Sequence, residues 1–89
     1  MQPNAFHTAR QLGAVIRAAR ERAGLSQREL AERADLERQW IVLLETGKLD
    51  NPTLRNVFKA TAALGLQLEL TALDDVGSDQ PGLDDLLGR

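Results

Sequence analysis

The chain has 89 residues, a formal net charge of −2 and no cysteine. That length holds one domain, since domains usually run to about 100–150 residues, and it leaves no room for a barrel or for a dinucleotide-binding sheet with a substrate domain. Absence of cysteine excludes disulfides and thiolate metal sites and points to a reducing compartment, while weak acidity argues at first sight against a polyanionic partner.

The first helix signal covers residues 8–23. Thr8 and Gln11 have the spacing of a capping box, in which each side chain satisfies a backbone N–H near the other. Leu12, Val15, Ile16 and Ala19 recur at i, i+3, i+4 and i+7 and so share one face. Gly24 supplies a left-handed stop. A second capping box, Ser26 with Glu29, opens a short helix whose apolar face is Leu30, Ala31 and Ala34. Asp35 and Leu36 interrupt it, and Asp tolerates turn conformations better than most residues. A third helix is expected over residues 38–46, with Ile41 and Leu44 inward, Trp40 partly buried and Gly47 as its end. Asn51, Pro52 and Thr53 form a helix-start signature. The fourth helix is expected to turn Leu54, Val57, Phe58, Thr61 and Leu64 inward, and Gly65 closes it.

The period then changes from 3.6 to 2. Leu66, Leu68 and Leu70 alternate with Gln67, Glu69 and Thr71, the pattern of a strand over residues 66–73. One strand cannot form a sheet alone, so its partner is expected from a second copy, as in a two-fold homodimer. Residues 74–89 are rich in Asp, Gly, Ser and Pro and read as an acidic flexible tail. Residues 1–7 read as an N-terminal arm. The charge follows this division: +2 over residues 1–48, zero over 49–73 and −4 over 74–89. The acidity is therefore confined to the tail.

Two short helices joined by a tight turn, with a supporting helix before them, describe a helix-turn-helix over residues 8–65. Residues 25–36, reading Leu-Ser-Gln-Arg-Glu-Leu-Ala-Glu-Arg-Ala-Asp-Leu, are followed by Ile41, Leu44, Glu45, Thr46, Gly47 and Lys48. This pattern resembles the Cro and lambda-repressor helix-turn-helix family. The appended strand and the Arg38-Gln39-Trp40 start narrow the resemblance to HipB antitoxins, the partners of HipA-type Ser/Thr kinase toxins. The implied fold is mainly α, a lambda-repressor-like domain of four to five helices with one C-terminal β-strand pairing across a homodimer.

The resemblance also implies roles. Gln27 matches a position that anchors DNA phosphate, where an amide can donate beside the helix dipole. Arg28 points toward the groove, and Arg38 and Gln39 match the base-reading start of the recognition helix. Arg suits guanine O6 and N7, and Gln suits adenine N6 and N7. Thr46 and Lys48 are further phosphate candidates. Arg20 and Glu45 match a pair that is salt-bridged in related repressors. Four positions depart from the pattern. Glu37 stands where a small capping residue is usual, Asp35 replaces the usual turn glycine, and Val42 and Leu43 are apolar where readers are often polar.

The expected function is that of a dimeric repressor reading a palindromic operator in double-stranded DNA. By resemblance it would autoregulate a toxin–antitoxin operon and bind a HipA-like kinase toxin. The rivals are a stand-alone phage-type regulator and a protein-interaction module with little DNA binding. An enzyme is not expected, because there is one histidine, no cysteine and no phosphate loop. His7, placed just before the first cap, suggests neither catalysis nor metal binding, and no cofactor is expected. No apolar run approaches the about 20 residues of a membrane span. Residues 1–8 lack the pattern of a signal peptide, so a cytoplasmic, nucleoid-associated location is expected.

Overall fold

The computed structural model describes residues 5–72. Its elements are four helices in chain order: α1 (Ala9–Arg22), α2 (Gln27–Ala34), α3 (Arg38–Glu45) and α4 (Leu54–Ala63). α1 packs on α3, and α2 packs on both α3 and α4. The core between them holds Leu12, Ile16, Leu30, Ala31, Ile41, Leu44 and Val57, all buried. Leu36 and Trp40 pack partly buried against it. Leu36 thus anchors the turn between α2 and α3.

Three of the four helix starts are capped by a hydroxyl. The Gln11 N–H donates to Thr8, the Glu29 N–H to Ser26 and the Asn56 N–H to Thr53. At α2 the box is reciprocal, because the Ser26 N–H donates back to the Glu29 carboxylate at 2.8 Å. At α1 the return arm differs from the expectation: Gln11 accepts from the N–H of His7 rather than of Thr8. The longer amide reaches one residue further out along the arm.

Asp35 ends α2 in the left-handed region, with φ 56° and ψ 50°. This conformation turns the chain sharply from α2 into α3. Aspartate occupies it at lower cost than most non-glycine residues, because its short polar side chain can bond locally.

One sequence expectation is corrected, and another is not met within a single copy. Leu54 and Phe58 do not face the core: they are 66% and 52% exposed. The inner face of α4 keeps the expected Val57 and Thr61 and adds Ala60, with Leu64 half-buried. The small Ala60 side chain occupies the fully buried position, and the larger residues one turn away are left outside. Second, among the described residues no strand is formed, and Leu66, Leu68 and Leu70 make no ladder within the chain. A ladder requires a second extended segment, and this chain supplies none among the described residues. The expected strand ends at Leu73, outside the described residues, as do the tail and residues 1–4 of the arm.

Candidate nucleic-acid interface

α1 and the end of α3 are locked together by one buried ion pair. Arg20, from α1, meets Glu45, from the end of α3, through two parallel hydrogen bonds of 2.8 and 2.9 Å. A third donor of the same guanidinium holds the carbonyl of Leu25 at 2.7 Å. Arg20 therefore ties α1, the α1–α2 turn and α3 through one planar group, which suits the fixed fork of arginine. The hydrogen bond to Glu45 is the main cause of a raised Arg20 pKa, against the opposing effect of burial. The side chains are 11% and 1% exposed, so the pair is shielded from solvent screening.

Glu45 also accepts from the side-chain amide of Gln27 at 3.2 Å. This contact orients Gln27 at the first turn of α2. One amide N–H is engaged there and the other is left for an outside acceptor. The capping box satisfies the N–H groups of Ser26 and Glu29. The helix geometry leaves those of Gln27 and Arg28 as its open donors. With the positive end of the helix dipole behind them, these donors suit a phosphate oxygen.

Arg20, Ser26, Gln27, Arg28 and Arg38 line one open cleft. Arg28, Arg38 and Gln39 are exposed, and no described acidic group pairs with them. The structure thus brings Gln27, Arg28 and Arg38 together at one place, with Gln39 next along α3. Thr46 and Lys48 lie past the other end of α3, with Thr46 roughly 12 Å along the axis from Arg38 at 1.5 Å per residue. Lys48 is exposed. The Thr46 hydroxyl donates to the carbonyl of Val42 at 2.8 Å, which commits its proton to the helix end. Val42 and Leu43 are half-buried.

The sequence reading assigned Gln27 to phosphate and Glu45 to Arg20, and it missed their mutual contact. It also missed Arg20 and Ser26 as walls of the cleft. The partners are 18 and 25 residues apart, beyond the reach of any helical periodicity.

A capped helix, a left-handed turn and a second helix with exposed Arg and Gln at its start define a helix-turn-helix unit. The family model described as "Helix-turn-helix domain" matches residues 11–73, and the chain belongs to that family. It is also 39% identical over 61 residues to an uncharacterised HTH-type transcriptional regulator of Archaeoglobus fulgidus. That alignment covers 67% of this chain and 86% of the relative. No helix of the described residues is long and apolar enough to cross a membrane.

Proposed function

We propose that the protein is a sequence-specific DNA-binding transcriptional repressor that works as a homodimer. The observation that carries this reading is the cleft where Gln27, Arg28 and Arg38 converge from the starts of α2 and α3. α3 would enter a major groove about 12 Å wide. Arg38, Gln39 and Arg28 would then face base edges. Gln27 and the α2 N-terminus would hold the phosphate backbone, with Lys48 on a flanking phosphate. Net charge over the first 48 residues is only +2, so placed amides and a few guanidinium groups must do what a broad basic surface does elsewhere.

Homodimerisation is supported by the apolar surface that one copy leaves in water. Phe6, Leu54, Phe58, Leu68 and Leu70 are all exposed. Leu54 and Phe58 are neighbours one turn apart on α4, and Phe6, Leu54 and Leu68 line one groove. A second copy would cover this face and pair with the alternating segment that starts at Leu66. The resemblance to HipB antitoxins supports the finer reading: repression of an operon that also encodes a HipA-like kinase toxin, with the toxin as a bound partner.

The test is a gel-shift titration against DNA from upstream of the gene, with unrelated duplex as competitor. Wild type is expected to prefer the upstream DNA. The double variant Arg38→Ala/Gln39→Ala is expected to lose that preference by about 100-fold, given 1–3 kcal/mol for each base contact. Retention of full preference would refute the assignment of α3 as the reading helix. Co-purification of a kinase encoded beside the gene tests the antitoxin reading.

A further inference from the structure

Glu37 is the residue from which α3 starts, and among the described residues its carboxylate makes no capping hydrogen bond and no ion pair. Its backbone has the extended conformation of a cap, with φ −74° and ψ 139°, yet its side chain makes no capping hydrogen bond. The other three helices have Thr8, Ser26 and Thr53 at this position, and each of those accepts a backbone N–H. Glu37 is exposed, and no described Lys or Arg stands within ion-pair distance of it. A helix start without a capping side chain costs stability relative to Ser or Thr at the same position. That cost is taken next to Arg38, which lines the cleft with Gln27 and Arg28.

If α3 lies in a major groove, this carboxylate is carried in with it. An ionised carboxylate only accepts hydrogen bonds, and phosphate repels it. Most groups on the groove floor are acceptors too: guanine N7 and O6, adenine N7 and thymine O4. The donors are the amino groups of cytosine and adenine. At adenine the N7 lone pair stands beside the amino group and opposes a carboxylate. At cytosine the neighbouring edge is C5–H, which does not. Cytosine N4 is therefore the base group that best accommodates Glu37.

We propose that Glu37 is a specificity-determining residue that selects a cytosine at the base pair under the start of α3, by accepting a hydrogen bond from its N4 amino group. It acts as a filter as much as an attachment, because guanine and thymine face the desolvated carboxylate with acceptors, and adenine sets its N7 lone pair beside the one donor it offers. Arg38, one residue on, favours guanine, so the pair of charges at the start of α3 reads a G·C-containing step. The proposal rests on the DNA-binding reading above.

Binding-site selection from a random duplex pool tests it, using the full chain, Glu37→Ser and Glu37→Gln. Wild type is expected to select a site with a fixed cytosine in each half. Exchanging that cytosine for thymine, or for N4-methylcytosine whose methyl occupies the groove-facing donor position, should weaken binding about tenfold. Glu37→Ser supplies a capping hydroxyl, so it is expected to melt no lower than wild type. It should bind the same site with no preference at that one position and no response to N4-methylation. Glu37→Gln should shift the preference toward adenine. If Glu37→Ser selects the same cytosine as wild type, the role of Glu37 is refuted and the DNA-binding reading stands. If wild type enriches no sequence, both fall together.

Discussion

Arg20 and Glu45 carry two burdens at once, fastening α3 to α1 and presenting Gln27. Removing one partner leaves the other buried and uncompensated, so Arg20→Ala or Glu45→Ala should each cost about 3–5 kcal/mol in urea unfolding. Replacing both by apolar residues of similar size, Arg20→Met with Glu45→Leu, should recover most of that loss. The same double variant removes the acceptor that orients Gln27, so its DNA affinity should stay low while its stability returns. A double variant as unstable as the singles would contradict this account. The pairing of Arg20 with Glu45 was visible only through the resemblance, since residues 25 apart share no local pattern. Gly13 was invisible altogether. It is buried in α1, and a Cβ there would run into the backbone carbonyl of Leu44. A glycine inside a helix pattern looks like a weakness until the helix crossing above it is known.

At the scale of the element, α2 was the most legible part of the chain. Its cap, its return carboxylate and its apolar face are all coded within nine residues, 26–34, and the structure uses every one. Hydrogen bonds from the Ser26 backbone N–H, and secondarily from its side chain, hold the Glu29 carboxyl below its ordinary value of 4.5. A depressed folded pKa means a contribution that is complete above about pH 4.5 and is lost as the pH falls through the folded value. Glu29→Ala should therefore be less stable than wild type at pH 7. That gap should shrink by pH 3 when both are unfolded in urea, whereas a gap independent of pH would show that the charge of Glu29 is irrelevant. α4 was read less well. Two stripes overlap on it, one built from Leu54, Val57, Phe58 and Thr61, the other from Val57, Ala60, Thr61 and Leu64. Periodicity favours the stripe with the larger side chains. Packing against α2 buries the stripe that contains Ala60. The exposed stripe and the stripe that meets the core are both apolar, so the pattern alone does not separate them.

For the whole molecule, the proposed homodimer would account for both that misread stripe and the unpaired alternating segment. Leu54 and Phe58 on α4, together with Leu68 and Leu70 beyond it, are apolar side chains left outside the core of a single copy, and Leu54 and Leu68 line one groove. In a two-fold association every contact occurs twice, so one charged substitution enters the interface at two places. Phe58→Asp combined with Leu70→Asp should leave the core intact, because both side chains are more than half exposed, and should convert a dimer to a monomer in sedimentation equilibrium. The consequence for DNA follows from linkage between half-sites. Two joined reading heads gain about 100-fold or more in avidity over one, by effective concentration alone. The double variant should therefore lose at least that factor on a palindromic duplex. Its affinity for a duplex holding a single half-site should match that of one wild-type protomer, since Gln27, Arg28 and Arg38 lie on the other elements of the fold. Equal losses on the full site and the half-site would place the damage in the reading heads and overturn the dimer. A variant that remained dimeric with unchanged affinity would show that this surface is covered by something other than a second copy.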